Sequence, residues 1–124
     1  MGTQYNSSTD RRRSPRIDSN LPVKYRNLKL TNPSLGSLTK DISEGGVSFK
    51  TNEFISLACR LVVEITIPTL QRPIKAISKV AWIKKNPSDD HYELGNQFLE
   101  ISKEDRAVIS DYVSRVSGTN IQSF

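Results

Sequence analysis

Hydrophobic and polar residues alternate along most of the chain with a period of two, which is typical of half-buried β-strands. The clearest case is residues 60–67, where every second residue from Leu61 to Ile67 is aliphatic. Pro68 ends this run, because proline cannot donate a hydrogen bond to a neighbouring strand. The same alternation between turn-forming clusters predicts six strands in all, over residues 21–26, 35–42, 47–51, 60–67, 74–85 and 92–99.

The strand predicted over residues 74–85 does not keep a single alternation. Ser78 interrupts the apolar residues of one parity, and Ile77 and Ile83 fall on the other. These positions predict a bulge or bend near Ser78. Trp82 has aliphatic neighbours, so we expect it to pack in the core or in the wall of the sheet rather than to form an exposed stacking surface.

Near the C-terminal end the period changes from two to about 3.6, which is typical of an amphipathic helix. Apolar residues recur on one helix face at Ile109, Tyr112, Val113 and Val116. Ser102 and Asp105 have capping-box spacing, so we predict a helix over residues 103–116 that ends at Gly118. Six short strands followed by one helix describe a small antiparallel barrel or sandwich.

Length and composition fit a single domain with no catalytic machinery. The 124 residues contain no apolar run long enough for a membrane span or a signal peptide, so we expect a cytoplasmic protein. The one cysteine, Cys59, has no disulfide partner, and the one histidine, His91, stands in a polar turn without metal-ligating or triad neighbours. We therefore expect no metal, no cofactor and no catalytic residues, and so a protein that is not an enzyme.

The net charge of +5 is concentrated near the N-terminus. Residues 1–26 contain six Lys and Arg against two acidic residues, whereas the rest of the chain is nearly balanced. We interpret residues 1–10 as a flexible leader and residues 11–20 as a basic arm without a core of its own. A local excess of this kind attracts a polyanion or a phosphate-bearing ligand, although a solvated basic tail also explains the charge alone.

Two short segments carry the candidate chemistry. In the first, Arg12 and Arg16 lie four residues apart in a segment that Pro15 stiffens and keeps out of a helix. In the second, Asp41 and Ser43 alternate at the end of a predicted strand, so both side chains point to one face. The Gly-Gly pair that follows indicates a tight turn with positive φ or a close approach of the backbone.

These residue types are complementary to a guanine nucleotide. A guanidinium group can bond O6 and N7 of guanine together, stack on a base, or pair with phosphate oxygens. A carboxylate can accept from N1–H and N2–H of guanine, and a serine hydroxyl can bond a base or a phosphate oxygen. The two segments together can therefore recognise both the base and the charge.

The order Arg-x-x-x-Arg and then Asp-x-Ser-x-x-Gly resembles the PilZ domain family, and the likeness extends over roughly residues 11–116. The resemblance implies a mainly β fold: a six-stranded antiparallel PilZ-type β-barrel with a C-terminal α-helix and a flexible N-terminal arm. In that scheme the PilZ domain covers residues 11–118, comprising the arm (11–20), the barrel (21–99) and the helix (103–116). Residues 119–124 form a tail.

The resemblance also implies that cyclic di-GMP binds on the outer surface of the barrel, under the arginine arm. Its implied contacts are Arg11, Arg12, Arg13, Arg16, Asp41, Ser43, Gly45 and Gly46. Arg12 and Arg16 would bind guanine and phosphate, with Arg13 taking part of that work in an alternative register. Arg11, the cation before the first motif arginine, favours an intercalated ligand dimer over a single molecule.

The predicted function is therefore a cyclic di-GMP receptor that changes conformation on binding and signals to a separate, unidentified protein in control of motility, biofilm or exopolysaccharide. Two alternatives remain open. One is a PilZ-like adaptor that acts by protein contacts without ligand. The other is a small basic barrel for single-stranded nucleic acid, which the small number of aromatic residues, mostly at core positions, disfavours.

Overall fold

A computed structural model of the protein describes residues 16–31 and 33–122. Within these residues the chain forms seven strands and one helix. The strands are β1 (Ile17–Asp18), β2 (Pro22–Asn27), β3 (Leu35–Ser43), β4 (Gly46–Thr51), β5 (Arg60–Ile65), β6 (Ile74–Lys85) and β7 (Tyr92–Glu100), and the helix is α1 (Lys103–Gln122).

Six of the strands close into an antiparallel barrel. Their order around it is β3, β2, β5, β6, β7, β4, and β4 pairs again with β3. Closure gives each barrel strand a neighbour on both sides and leaves no free edge in the barrel. The predicted six-stranded barrel with a C-terminal helix is thus confirmed.

The barrel core is built from every second residue of the strands, as the alternation predicts. Its fully buried apolar side chains include Val23, Ile42, Val47, Phe49, Val63, Ile65, Ile74, Val80 and Leu94. Helix α1 adds Ile109 and Val113 to this core. Burial of an aliphatic or aromatic side chain contributes about 1.5–3 kcal/mol, so these residues provide the main stabilisation of the fold.

Helix α1 begins as predicted but ends later. The N–H of Asp105 donates to Ser102 Oγ at 3.0 Å, whereas the Asp105 carboxylate bonds Arg72 at 2.9 Å instead of turning back to Ser102. The helix continues past Gly118 to Gln122, so the predicted end was wrong. A single glycine inside a helix costs only about 1 kcal/mol relative to alanine and need not stop it. No helix in the described part of the chain is long and apolar enough to span a bilayer.

The predicted irregularity near Ser78 is confirmed, and a second one follows it. The register of β6 against β7 shifts between Ile77 and Ser78, and again between Val80 and Trp82. The first shift places the extra residue on β7, so Ala76, Ser78 and Val80 of β6 all stay buried on the core side. The second places the extra residue, Ala81, on β6 and reverses the face of the residues that follow. As a result Ile83 returns to the core side, where it packs against the buried cluster.

Strand β1 was not predicted. Its two residues pair with β3 through Ile17 and Ile42, and through Asp18 and Asp41. A strand of two residues is too short to show an alternation, so only the fold reveals it. Part of the predicted basic arm is therefore attached to the barrel as a seventh strand.

Candidate functional site

Five strands contribute one residue each to a single row on the outer wall of the barrel. In the strand register this row passes through Asp18, Asp41, Ser48, Gly95 and Trp82. Paired residues of antiparallel strands project to the same face of a sheet, and the residues adjacent to Asp41 and Gly95 along their strands, Ile42 and Leu94, are in the core. The row is therefore on the outside, and we call the surface around it the motif face.

Arg16 joins the two sequence motifs on the motif face. Its Nη1 donates to Oδ1 of Asp41 at 2.8 Å, and the two side chains are 40% and 26% exposed. The pairing of Ile17 with Ile42 explains the contact, because it holds residue 16 beside the end of β3. The other predicted arginines lie outside the described residues: Arg11, Arg12 and Arg13.

The turn between β3 and β4 holds the rest of the second motif. Ser43 Oγ accepts a hydrogen bond from the Gly45 N–H at 3.2 Å, so the serine closes the turn. The Gly45 carbonyl accepts from the N–H of Phe98 at 3.0 Å. Arg106 Nη1 donates to the Glu44 carbonyl at 2.9 Å. Since Ser43 is only 2% exposed, it shapes the turn in this structure and does not present an open hydroxyl.

Gly46 stands where the backbones of β4 and β7 come very close. A Cβ atom on Gly46 would overlap the carbonyl oxygen of Asn96. A strand backbone cannot move aside as a flexible side chain can, so this position requires glycine. No glycine in the described ranges has a positive φ. Of the two roles expected for the Gly-Gly pair, close approach is therefore the one that applies at Gly46.

Trp82 packs against the outer wall over Gly95. A Cβ atom on Gly95 would overlap Nε1 and Cε2 of the indole. Trp82 packs on the barrel wall, one of the two positions expected for it, but it is 39% exposed, so the expectation that it does not form an exposed stacking surface was wrong. The second register shift of β6 turns Trp82 outward. An aromatic surface therefore lies in the same row as Asp41.

Ser48 provides a buried hydroxyl in the middle of the row. Its Oγ is enclosed and has no hydrogen-bond partner among the residues that the structure describes. Leaving such a group unpaired costs about 1–3 kcal/mol, and most buried polar atoms in proteins do have partners. The hydroxyl lies between Asp41 and Gly95 in the row, so it is an enclosed hydrogen-bonding group at the centre of the motif face.

Lys40 adds a cation beside the second motif. It is the bulged residue of β3, and its Nζ is 2.8 Å from Oε2 of Glu93. The hydrogen bond and the charge of Glu93 hold the pKa of the Lys40 ammonium above its ordinary value, and Asp41 and Asp18 add to this effect. Lys40 is therefore a charged donor near Asp41 at neutral pH.

Sequence reasoning found the motif residues and missed their neighbours in the row. Asp18, Ser48, Gly95 and Trp82 lie far from the motifs in sequence and meet them only through the strand register. One signal was available: the tryptophan is the only one in the chain, and its strand showed broken alternation. That break indicated a side chain redirected to the outer wall.

A model of the PilZ domain matches residues 10–115 of this sequence. The chain belongs to the PilZ family. The match includes both motifs, all of the strands and most of α1, so the family inferred from the motifs is confirmed. Among curated proteins, none matches the chain.

Three solved structures show the same fold. The Bacillus subtilis inhibitor of motility MotI/DgrA has a TM-score of 0.77 at 21% identity, over 88% of this chain and 52% of that one. The PilZ domain of Escherichia coli YcgR with c-di-GMP has a TM-score of 0.67 at 16% identity, over 91% and 96%. The K. pneumonia MrkH–c-di-GMP complex has a TM-score of 0.68 at 18% identity, over 92% and 56%. Our chain spans about half the length of MotI and MrkH.

Proposed function

We propose that this PilZ chain is a receptor that binds cyclic di-GMP on the motif face. The observation that carries the proposal is the contact between Arg16 and Asp41, at 2.8 Å, which brings the second arginine of the Arg-x-x-x-Arg motif onto the first residue of the Asp-x-Ser-x-x-Gly motif. The YcgR and MrkH structures, which share the fold and contain c-di-GMP, support this choice of ligand.

Each motif residue receives a role that its chemistry allows. Arg16 binds a guanine edge or a phosphate, since its guanidinium has more donors than the one used on Asp41. Asp41 accepts from N1–H and N2–H of guanine. Ser43 and Gly45 hold the turn, and the Ser43 hydroxyl, which is enclosed in this structure, reaches the ligand only if the turn opens on binding. Gly46 has no side chain that would stand between the backbone and the nucleotide.

The motif face also fits the ligand in ways that the motifs do not show. The exposed indole of Trp82 offers a surface on which a base can stack. The Ser48 Oγ, which has no partner among the described residues, can bond a group from outside the chain once the side chains that enclose it move. Stacking on a base, by alanine substitution in other proteins, is worth about 1–3 kcal/mol.

The remaining proposals concern the basic arm. Arg12, like Arg16, binds guanine and phosphate of the ligand, and Arg13 makes part of these contacts in the alternative register. Arg11 supplies the extra cation that stabilises an intercalated ligand dimer. Residues 11–118 form the PilZ domain, preceded by a leader; the expected tail at 119–124 is replaced as far as Gln122 by the last turn of α1. The arm orders over the barrel on binding, which reduces affinity but changes the surface that another protein contacts.

We further propose that the protein binds and does not catalyse, acts in the cytoplasm, and passes its signal to a separate protein. Motility is the first output that we propose, since the similar Bacillus protein is an inhibitor of motility. Biofilm and exopolysaccharide control are the other outputs that the family implies.

Isothermal titration with cyclic di-GMP tests the proposal. Wild type should bind saturably, with a stoichiometry of two if the ligand dimer forms, and GTP should not compete. Arg16→Ala should weaken binding by about tenfold to a hundredfold, because a charge-assisted hydrogen bond is worth about 1.5–3 kcal/mol. The matched control is Arg115→Ala, which removes an exposed arginine and its ion pair with Asp111 on α1.

The outcomes separate the alternatives. Binding that survives in Arg115→Ala and is lost in Arg16→Ala supports the receptor, and a stoichiometry that falls to one in Arg11→Ala supports the role of that residue. Absence of heat from folded wild-type protein would favour the adaptor. Unchanged hydrogen exchange of residues 8–20 at saturation would exclude the ordering of the arm.

A further inference from the structure

A second surface lies on the wall formed by β2, β5 and β6. Arg26, Val62 and Ile77 are paired neighbours on its outer face. Together with Leu28, which follows β2, and Leu99 of β7, they border a groove of about 710 Å³ beside the start of α1. We call this groove the basic groove.

The floor of the basic groove is apolar. Val62 points outward from the barrel and is nevertheless only 5% exposed, so the surrounding side chains cover it. Leu28 and Leu99, which also line the groove, remain 37% and 39% exposed. An apolar centre with a charged border is the usual anatomy of a protein interface.

The border and its surroundings are cationic. Six basic side chains lie on this wall or line the groove, against two carboxylates. The cations are Lys24, Arg26, Arg60, Lys75, Lys79 and Arg106, and the carboxylates are Glu64 and Glu100. Among residues 16–31 and 33–122, none of these eight side chains takes part in an ion pair within 4.0 Å.

We propose that the basic groove binds an acidic amphipathic helix of a partner protein. The excess of unpaired cations is complementary to a segment rich in Glu and Asp, and the apolar floor is complementary to one face of aliphatic side chains. Addition of a partner strand is excluded on this wall, because β2, β5 and β6 each have a neighbour on both sides. This inference goes beyond the receptor function and does not depend on it.

The composition of the groove favours protein over nucleic acid. Proteins that hold single strands combine cations with aromatic side chains on which bases stack. Among residues 16–31 and 33–122, those that line the basic groove include no aromatic side chain. The groove has aliphatic residues instead, and these are complementary to the apolar face of an amphipathic helix.

The probe is a fluorescein-labelled peptide of about 18 residues, with Leu on one helix face and Glu on the other. Its binding to the full chain is measured by fluorescence anisotropy in the absence of cyclic di-GMP. A peptide of the same composition in scrambled order should bind at least about tenfold more weakly, because its apolar side chains no longer share a face.

Two variants locate the site, and one serves as the matched control. Lys75→Glu, at the border, should weaken binding about tenfold, since it places like charges together. Leu99→Ser, at the apolar edge, should weaken it about fivefold. Lys84→Glu makes the same charge change on the same strand outside the groove and should alter affinity less than about twofold. Thermal unfolding checks that all three variants are folded.

Either of two results overturns the proposal. The first is that the ordered peptide fails to bind, or binds wild type and folded Lys75→Glu equally. The second is that an oligothymidine of about 15 nucleotides binds more tightly than the peptide and displaces it, which would assign these cations to nucleic acid.

Discussion

The motif face and the basic groove are both outer walls of one barrel, and they treat charge in opposite ways. On the motif face the cations are paired, Arg16 with Asp41 and Lys40 with Glu93. On the wall of the basic groove the cations have no such partners within the described residues. Paired charges hold side chains in defined positions, whereas unpaired charges attract a partner over a distance. The first arrangement suits a small ligand of fixed shape, and the second suits a macromolecule.

The two surfaces also differ in how far side chains cover the strand backbone. The motif face contains Gly46 and Gly95, which leave the strands bare enough for close packing by Asn96 and Trp82. The floor of the basic groove is covered by aliphatic side chains. Arg106 belongs to both regions, since it lines the groove and donates to the Glu44 carbonyl in the β3–β4 turn. The side chain of Arg106 therefore connects the basic groove to the turn at the motif face.

The largest expected effect comes from removing the close approach on the motif face. Gly46→Ala places a Cβ against the carbonyl oxygen of Asn96, so β4 and β7 must separate. We expect a loss of about 3 kcal/mol or more in the free energy of unfolding, at the upper end of overpacking effects. Urea denaturation followed by circular dichroism measures it.

Gly36→Ala is the matched control for this change. Gly36 also lies in a strand, β3, but a Cβ there would meet no atom within 4 Å. We expect a change of no more than about 0.5 kcal/mol. Equal effects at the two glycines would show that the contact between β4 and β7 is not what fixes Gly46.

A smaller effect is expected at Gly95, where the close neighbour is a side chain. Gly95→Ala displaces the indole of Trp82, which can move towards solvent, so the loss should be about 1–2 kcal/mol. Trp82 is the only tryptophan, and its fluorescence emission should therefore shift to longer wavelength. Unchanged emission with unchanged stability would mean that the indole does not rest on Gly95.

The sequence predicts local features of this fold better than it predicts the site. The first and last residues of the strand Ile74–Lys85 agree with the prediction, because alternation and turn clusters are properties of neighbouring residues. The meeting of Asp41, Ser48 and Trp82 depends on pairing between strands distant in sequence, which alternation does not encode. The position of α1 was predicted, but its end was not, because a glycine can be helical when the surrounding turns continue.

The resemblance to a family supplied part of what alternation could not. It related Arg16 to Asp41 before the fold was known, and the structure brings these two side chains into contact. It gave no indication of the buried Ser48 hydroxyl or of the basic groove, since both depend on which outward residues become neighbours. Motifs thus indicate candidate binding residues, and strand register shows which other residues lie beside them.

The smallest expected effect concerns the ion pair between Arg16 and Asp41 in the free protein. Both side chains are partly exposed, so their coupling energy in a double-mutant cycle of alanine variants should be under about 1 kcal/mol. Arg16→Ala should destabilise more than the double variant, because it leaves Asp41 beside Asp18 with only Lys40, which is already paired with Glu93, to offset the two charges. Urea denaturation at low salt measures the coupling, and about 0.5 M NaCl should reduce it further.

The coupling energy between Arg16 and Asp41 decides how the loss of ligand binding in Arg16→Ala is interpreted. If the coupling is weak, the variant stays folded, and weaker binding of cyclic di-GMP reports a lost contact with the ligand. A coupling above about 2 kcal/mol would make the pair a structural element, and the same loss would then reflect a displaced β1. The distinction between a positioned charge and a stabilising one on the motif face depends on that measurement.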